Sequence, residues 1–595
     1  MVSRRLWASA LAVVALLGFV VNVSSAHADS PLSVAPAYRN PLPMTLPDGT
    51  QALNCADPFV FQGQAGDRHW YAYCTTDAID VNDLGAPPGE YVTLPMYSSL
   101  DLVHWTFAGP ALPASPGWVG TGGFLWAPDV VYRDGTYFLY YAASGTVAGG
   151  PAIGVLTSSS PLGPWVDSGG PVVAPYNGRE VIDPEVITSG GTSYLYYGSY
   201  VGGVAVRELS PDGLTSIPST ERQITIDNRY EGTFIVRHDG WFYLMGSSAN
   251  CCGGPLTGYS VFAGRSRSPL GPFLDRDGVS LLATRVGGTP VLAANGNRWV
   301  GTGHNAVVTD YTGQQWIFYH AIDQNDPYVP GQIGYNRRQL LMDPLDWRDG
   351  WPTVDAGRGP SDTPLPGPAA QPGERTAYRP VFRPRPRPGA PIAALSDDFA
   401  ASTLSSRWTW IRPPDPATYR VGGGEFTVDT QPDDLQPPSP ALASVLTEPA
   451  PPGDYVVQTS VDMSVPNDGS VHNYVQGGIV VYHDDGNYVK LSVTAMWNTR
   501  QTEFGRHSDP VPAGYPSYGN AVVGPVAATT YLRIVHRIGL GVDRYTAYTS
   551  LDGTRWDAGG TWDLPYGSGT RIGLVSMGGG GYASTFGPVR VSWLG

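Results

Sequence analysis

Five short apolar segments in the N-terminal half of the chain each contain one polar side chain. The segments are ADPFV with Asp57, WAPDVV with Asp129, IDPEV with Asp183, EGTFIV with Glu231 and GHNAVV with His304. A turn-capping role would explain any one of them. All five, however, lie shortly before a run rich in aromatic residues. We therefore expect them to occupy one repeated position and to share one site.

Carboxylates gathered in one site could hydrolyse a glycosidic bond. That reaction needs a protonated carboxylic acid for the leaving oxygen, and an ionised carboxylate that activates water or attacks the sugar. A third carboxylate nearby raises the pKa of the acid by like-charge repulsion, which keeps it protonated near neutral pH. Spacing along the chain gives no distances between side chains, so the residues alone predict only that three acids share one site.

The elements that would position these groups are five strand-forming runs that follow polar or Gly-containing turns. The runs are HWYAYCT at His69, DGTYFLYYAAS at Asp134, GTSYLYYGSY at Gly191, DGWFYLMGSS at Asp239 and GQQWIFYHA at Gly313. Repeated β-units of this size are typical of propeller blades. The innermost strand of each blade runs along the propeller axis, so each blade would deliver one polar residue to a common funnel.

The chain length predicts two domains, because 595 residues exceed what one hydrophobic core usually organises. Residues 29–355 are predicted to form a five-bladed β-propeller. Residues 356–394 are rich in proline with interleaved arginines, and this composition predicts a semi-rigid, solvated linker. Residues 395–595 alternate apolar and polar positions between Gly-containing turns, which indicates a β-sandwich of the jelly-roll type. The predicted class is all-β.

The first 28 residues have the pattern of a secretory signal peptide. Arg4 and Arg5 precede an apolar run, and residues 26–28 read Ala-His-Ala, like a cleavage site. No later stretch is long and apolar enough to span a bilayer. A secreted, extracellular monomer without a membrane partner is therefore expected. The formal net charge of −15 argues against nucleic acid as a partner and suits an uncharged glycan.

Four cysteines in an exported protein can form disulfides in three pairings. Cys55 and Cys74 flank a predicted hairpin and would lie nearly opposite each other, so we expect them to be bonded. Cys251 and Cys252 are adjacent, with Cα atoms ~3.8 Å apart, which is below the usual disulfide range. The remaining alternatives are a vicinal disulfide, which we favour, and two free thiols.

Taken together, these segments resemble glycoside hydrolase family 43, whose members are five-bladed propeller glycosidases. The likeness covers about residues 41–354 and includes ADPFV, LWAPDVVYRDGTYFLYYAAS, VIDPEV, EGTFIVRHDGWFYL, GTGHNAVV and RRQLLMDPLDWRDGWPTV in the family's order. It implies that Asp57 is the general base, Glu231 the general acid, and Asp183 the carboxylate that orients the acid and adjusts its pKa. The family inverts the anomeric centre, which implies carboxyl groups ~6.5–9.5 Å apart.

The resemblance also implies roles for residues around these acids. Asp129 is a family position with an architectural or substrate-binding role. Trp126 beside it is a candidate platform for sugar stacking, or else a packing tryptophan of the blade. His304 in GTGHN resembles arabinanase-like members, in which a histidine faces a bound cation, often calcium, through water. The chemistry itself needs no cofactor, and a calcium ion would be structural.

The motifs favour α-L-arabinofuranosyl linkages in plant-type polysaccharide as the substrate. NCCGG resembles arabinanases, where adjacent cysteines form a disulfide beside the cleft. Arabinanases usually have Glu-Ala-Pro at the acid, however, whereas this chain has Glu231-Gly232-Thr233, as in xylosidase and arabinofuranosidase branches. A β-xylosidase-type activity is therefore the alternative. In the C-terminal part, GGIVVYHDDGNYVKL and SLDGTRW resemble concanavalin-like jelly rolls.

Two other classes of function share features with this chain. Retaining furanosidases that act on fructans also have five blades and a sandwich, but their Asn-Asp-Pro-Asn-Gly-like, Arg-Asp-Pro and Glu-Cys motifs differ from Ala56-Asp57-Pro58, Ile182-Asp183-Pro184 and Glu231-Gly232. A secreted, non-catalytic glycan-binding protein would not require three acids. Both are therefore less favoured than the hydrolase.

Overall fold

The structure is a computed structural model that describes residues 33–595 except 65, 85–90, 437–440, 540, 566 and 568. The signal peptide predicted for residues 1–28 lies outside the described residues. Among the residues that are described, no helix is long and apolar enough to cross a membrane. The fold is nearly all β, as predicted, with four short 3₁₀ helices at Gly254–Leu256, Asp355–Gly357, Ala393–Leu395 and Pro416–Thr418.

Five antiparallel sheets form the five-bladed propeller that the repeated runs predict. In blade order from the innermost strand outward, the strands are Phe59–Gln62, Trp70–Tyr73, Pro95–Ser99 and Trp105–Pro110 in blade I; Leu125–Arg133, Thr136–Ala143, Ala152–Ser158 and Val166–Asp167 in blade II; Glu185–Ser189, Thr192–Ser199, Gly203–Leu209 and Ser216–Gln223 in blade III; Glu231–His238, Trp241–Ser248, Ser260–Ser266 and Thr289–Leu292 in blade IV; and Trp299–Thr309, Gln315–Asp323, Gln339–Arg348 and Trp351–Val354 in blade V.

The aromatic runs are the second strands of the blades, and their lack of polar alternation has a packing reason. In Thr136–Ala143, Tyr137 and Leu139 enter the core shared with blade I. The intervening Phe138 and Tyr140 enter the core shared with blade III. Because a blade is covered on both faces, both sets of side chains are buried and the strand is continuously apolar.

The N-terminal segment closes the ring between blades I and V. Met44–Thr45 adds a parallel strand to Trp105–Pro110 of blade I. Just before it, the side chain of Asn40 donates to the carbonyl of Met342 (2.9 Å) and accepts from its amide (3.0 Å) in blade V. The N-terminal segment therefore connects the first blade to the last through a parallel strand pair and the side-chain hydrogen bonds of Asn40.

Both expected disulfides are present. Cys55 and Cys74 are bonded with a Cα–Cα distance of 5.0 Å, beside the first hairpin of blade I. Cys251 and Cys252 form the vicinal disulfide, so the alternative of two free thiols is wrong. Its loop is held by Asn336, which donates to the carbonyl of Cys252 (3.0 Å) and accepts from the amide of Gly254 (2.8 Å).

The first half of the proline-rich segment is packed on the propeller, which differs from the predicted solvated linker. Leu365–Pro366 and Glu374–Arg375 pair with the N-terminal strands Ala37–Tyr38 and Ser33–Val34. Tyr378 is 5% exposed, and its hydroxyl contacts the carboxylates of Asp346 and Asp355 at the outer edge of blade V. The composition predicts an extended chain, but apolar and hydroxyl side chains within this segment pack against the propeller.

The C-terminal part is a sandwich of two antiparallel sheets, as predicted. The first sheet contains Tyr419–Gly422, Glu425–Asp429, Ala583–Phe586, Tyr455–Met463, Thr529–Ile538, Val542–Ser550 and Asp557–Pro565, extended by Arg590–Leu594 and Pro388–Pro391. The second contains Thr409–Ile411, Val445–Pro449, Arg571–Met577, Gln476–Asp484, Asn487–Met496, Thr499–Ser508 and Tyr518–Ala521. Alternate side chains of both sheets form one core.

The two domains share an interface in which each inserts side chains into the other. Leu256 of the propeller is 5% exposed and belongs to the sandwich core. Val522 of the sandwich packs in the core between blades III and IV. The sandwich is therefore packed directly on the propeller.

Replacing Tyr378 by Phe tests whether the proline-rich segment belongs to the propeller. The hydroxyl donates to Asp346 Oδ2 (2.7 Å) and lies 3.2 Å from Asp355 Oδ1. Its loss leaves buried acceptors unsatisfied, which should cost about 1–3 kcal/mol of unfolding free energy. Denaturant-induced unfolding measures this cost. Tyr132→Phe, at an exposed tyrosine, is the control, and equal stability of the two variants would contradict the packing.

Candidate active site

Each blade has a residue with left-handed backbone conformation at the beginning of its innermost strand or, in blade V, within that strand. The residues are Asp57 (φ 50°), Ala127 (φ 44°), Asp183 (φ 58°), Gly232 (φ 55°) and His304 (φ 51°). Non-glycine residues adopt this conformation at a cost and are held in it by their surroundings. The repeat therefore defines an equivalent position in all five blades, at one end of the propeller axis.

This register corrects the expectation that all five polar residues share one blade position. Only Asp57, Asp183 and His304 occupy it. Glu231 lies one residue before it, and Asp129 lies two residues after it.

Asp129 is consequently an inter-blade residue, which fits the expected architectural role and does not fit a contact with substrate. It is 1% exposed, and its Oδ2 accepts from the amide of Val186 in blade III (3.1 Å). Glu185, the matching residue of blade III, accepts in the same way from the amide of Ile235 in blade IV (3.2 Å). Burial raises the pKa of Asp129 to about 7 and, with the charge of Asp129, that of Glu185 well above its usual range. These two acids join blades II, III and IV.

Hydrogen bonds from neighbouring blades hold the amides of four of the five left-handed residues. Thr75 of blade I accepts from the amide of Ala127 (3.0 Å). Asp183 accepts from the amide of Gly232 (3.0 Å), and Ser247 accepts from the amide of His304 (2.8 Å). The amide of Asp57 in turn donates to Nδ1 of His320 in blade V (3.2 Å).

Asp57 is surrounded by positive charge. Its Oδ1 lies 3.1 Å from Nδ1 of His304 and 3.4 Å from the guanidinium of Arg338, and its Oδ2 accepts from the hydroxyl of Thr75 (2.6 Å). Burial alone would raise the pKa of Asp57, but His304 and Arg338 outweigh it and hold the pKa well below its usual range. Asp57 is therefore ionised at neutral pH, as a general base must be.

Glu231 has the opposite surroundings. Its carboxyl accepts from the hydroxyls of Ser199 (2.8 Å) and Tyr259 (2.9 Å) and has no cationic partner within ion-pair distance among the described residues. Burial, followed by the negative charge of Asp183, raises its pKa to about 8. Glu231 is therefore protonated at neutral pH and can donate its proton.

Asp183 links the two. It is 8% exposed, and its bond to the amide of Gly232 places it directly beside Glu231 in the next blade. Burial raises its pKa to about 6, with the charge of His304 opposing the shift and that of Asp57 adding to it. Asp183 is thus mostly ionised at neutral pH and keeps the neighbouring acid protonated.

His304 pairs with the base, and its surroundings do not fit a directly bound metal. Asp57 and Asp183 outweigh the effect of burial and raise the pKa of His304 to about 9, so it is a cation at neutral pH and a poor metal ligand. In the described part of the chain, no group of three or more His, Cys, Asp or Glu side chains is arranged to hold a metal ion. A cation that His304 would face through water stays a prediction, and no step of the chemistry is placed on it.

Trp126 occupies the blade II position that Glu231 occupies in blade IV, one residue before the left-handed residue. It is partly exposed and packs against the core between blades II and III. Its two expected roles, as a stacking platform and as a packing residue, are both consistent with this position.

Several residues that contact Asp57 or Glu231 are not predicted by the sequence motifs. They are Thr75, Ser199, Tyr259, His320 and Arg338. Most of them lie at the ends of second and third strands, within or next to the aromatic runs, where a serine or histidine gives no signal of its own. Arg338 does have a signal in the sequence, because the two adjacent arginines of RRQLLMDP are candidate counter-charges for the acids.

The sandwich also reaches the segment that precedes Glu231. Asn498 donates to Asp227 (2.7 Å) and accepts from Asn228 (2.9 Å). Gln501 accepts from the buried guanidinium of Arg229 (2.9 Å). The second domain therefore supports the loop that carries the candidate acid.

Two family models match this chain. Residues 51–352 match the model described as glycosyl hydrolases family 43, and residues 396–573 match the β-xylosidase C-terminal concanavalin A-like domain.

Named relatives resemble the propeller part. An extracellular exo-α-(1→5)-L-arabinofuranosidase of Cellvibrio japonicus is 30% identical over 52% of this chain and 88% of its own length. A probable arabinan endo-1,5-α-L-arabinosidase C of Aspergillus niger is 36% identical over 50% of this chain and 91% of its own length. A solved α-L-arabinanase of Cellvibrio cellulosa with arabinohexaose is 27% identical, covering 51% of this chain and 96% of its own, with a TM-score of 0.43.

Replacing Arg338 by Gln tests the electrostatic account of the base. Arg338 lowers the pKa of Asp57, and a base with a lowered pKa loses activity only when the pH falls through that pKa. Removing the guanidinium should raise the pKa, so the acidic limb of the kcat/KM profile should move to higher pH. The profile is measured on any glycan that the wild type cleaves.

Arg337→Gln is the matched control, because Arg337 pairs with the exposed Asp326 (2.6 Å) and not with the site. Its acidic limb should coincide with that of the wild type. Coincident limbs for Arg338→Gln and wild type would show that Arg338 does not hold the base ionised.

Proposed function

We propose that this chain, which belongs to glycosyl hydrolases family 43, cleaves α-L-arabinofuranosyl linkages with inversion of the anomeric centre. Family membership makes the chain a glycoside hydrolase. The linkage, the stereochemistry and the residue roles are the proposal.

One observation carries the assignment of roles: two carboxyl groups in one funnel have pKa values shifted in opposite directions. The pKa of Asp57 is lowered well below its usual range, whereas that of Glu231 is raised to about 8. Pairs of carboxyls separated in this way supply a base and an acid at the same pH.

In the proposed mechanism, Asp57 accepts a proton from a water molecule as that water attacks the anomeric carbon. Glu231 donates its proton to the glycosidic oxygen as the bond from that oxygen to the anomeric carbon breaks. Asp183 keeps Glu231 protonated until transfer and fixes its orientation through Gly232. Attack and departure occur on opposite faces of the ring, so the configuration inverts. The carboxyl separation of an inverting enzyme stays a prediction.

The preference for arabinofuranosyl linkages is supported by the relatives named for arabinan and by the vicinal disulfide. The second candidate, a β-xylosidase-type activity, is favoured by the Glu231-Gly232 sequence and by the match of residues 396–573 to a β-xylosidase C-terminal domain. The propeller relatives cover the residues that do the chemistry, so we place arabinan first.

Secretion belongs to the same proposal. Two of the relatives are named as extracellular, and the two disulfides of the structure suit an oxidising compartment. An extracellular enzyme would meet polysaccharide directly.

The substrate class is tested with Glu231→Gln and three glycans: linear arabinan, branched arabinan and xylan. The wild type should release sugars from an arabinan, and the variant should lose about 10²–10⁴-fold in rate because it cannot donate the proton. Separation and identification of the released sugars gives the rate and also shows endo or exo action. Glu208→Gln, on the third strand of blade III, is the control.

Release from xylan alone would replace arabinan by the second candidate. Undiminished activity of Glu231→Gln would contradict its role as the acid.

The stereochemistry is tested by following the first product with proton NMR. Inversion of an α-L-arabinofuranosyl linkage gives the β-anomer before mutarotation sets in. Initial formation of the α-anomer would mean retention, and Asp57 would then act as a nucleophile.

A further inference from the structure

A cavity lies at the outer edges of blades IV and V, away from the innermost strands that carry the funnel residues. Its volume is about 540 Å³, within the ~300–1,000 Å³ typical of ligand pockets. Its walls come from three parts of the chain: the outermost strands Thr289–Leu292 and Trp351–Val354, the sandwich strand Asp557–Pro565, and the proline-rich segment. It is therefore formed only when both domains and the segment between them are packed together.

Arginines dominate the lining of this cavity. They are Arg276, Arg348, Arg383, Arg385, Arg387 and Arg533. The described lining includes a single carboxylate, that of Asp557, and it is already ion-paired with Arg276. A concentration of positive charge in a protein with a formal net charge of −15 is a local feature that the overall composition does not explain.

Three of these guanidinium groups have no partner in the described residues. Arg348 donates to the carbonyl of Arg383 (3.1 Å), and Arg533 donates to Gln458 (2.9 Å). By contrast, the side chains of Arg383, Arg385 and Arg387 make no hydrogen bond or ion pair within the described chain. They are free to bind a ligand.

The charges in the cavity repel one another. Partial burial, followed by the charges of Arg276 and Arg348, lowers the pKa of the Arg385 guanidinium. Burial also lowers the pKa of Arg533 to about 10. Asp349 and Asp557 offset only part of this repulsion. Like charges held together destabilise the fold, so an anion that enters the cavity would relieve the repulsion that remains.

The spacing of the arginines indicates what kind of anion would fit. Arg383, Arg385 and Arg387 alternate with prolines, which keep the chain extended at ~3.1 Å per residue. The three side chains are thus distributed along ~12 Å, which suits several separate negative charges better than one point charge. Guanidinium forks bind carboxylates in pairs of hydrogen bonds, so a ligand with several carboxylates fits this row of arginines.

We propose that this cavity binds an acidic oligosaccharide, a glycan whose sugars carry carboxylates. The site is separate from the catalytic funnel, since it uses the outermost strands of the blades rather than the innermost. It would hold an acidic region of a polysaccharide while the funnel acts on a neutral region.

The test measures binding of tetragalacturonate to the full-length protein by isothermal titration calorimetry. The wild type should bind it, and Arg383→Gln/Arg385→Gln should bind at least tenfold more weakly. Both substituted residues are exposed and have no partner in the described chain, so the fold should survive, as a melting curve would confirm. Cleavage of a neutral substrate should remain unchanged in this variant.

Arg375→Gln/Arg420→Gln is the matched control, since it removes the same charge from exposed arginines outside the cavity. It should bind tetragalacturonate like the wild type. Three results would overturn the proposal: no binding by the wild type, equal weakening in both variants, or inorganic phosphate binding as tightly as tetragalacturonate. The last would mean a site for a single anion.

Discussion

The ion pairs of Asp57 with His304 and Arg338 are the interaction on which the funnel depends. A carboxylate removed from water tends to take up a proton, because burial disfavours its charged form. Two cations at 3.1 and 3.4 Å reverse that tendency. The same negative charge keeps His304 protonated, so each partner maintains the charged state of the other. Removing one member of this cluster would leave the buried charges that remain less well compensated.

The protonation of Glu231 follows from the same distribution of charge. Arg338 and His304 lie against Asp57, and Glu231 receives only hydroxyl donors and the negative charge of Asp183. One funnel can therefore hold a base and an acid at one pH. The backbone makes this separation possible. Asp57 is itself a left-handed residue, and Glu231 directly precedes another, Gly232. The amides of both left-handed residues are bound by the neighbouring blade. Blade packing thus determines the positions of the proposed acid and base.

The sequence was sufficient for the class of fold, which depends on local patterns, whereas the roles of the three acids stay a prediction. Aromatic runs predict strands buried on both faces, and Asp-Pro and Glu-Gly motifs mark the inner strand ends. The funnel position expected for Asp129 was wrong, because sequence spacing does not reveal a shift of two residues along a strand. Such a shift moves the side chain from the funnel to the contact between blades. Arg338 and Tyr259 come from distant strands, so only the folded chain brings them to the acids.

The proline-rich segment shows a second limit of prediction from the sequence. Its composition predicts extended chain correctly, but burial depends on which surface the chain meets. Tyr378 is buried because Asp346 and Asp355 lie opposite it, and the arginines that follow line a cavity because the sandwich closes over them. Neither partner lies close in sequence.

The opposite protonation states of acid and base are the central claim, and infrared spectroscopy tests the acid directly. The difference spectrum between the wild type and Glu231→Gln would be recorded from pH 6 to pH 10. The account predicts a carboxylic-acid carbonyl band, present at neutral pH and lost as the pH rises through about 8. A carboxylate band already present at pH 6, with no acid band, would show that Glu231 is ionised and would contradict the assignment.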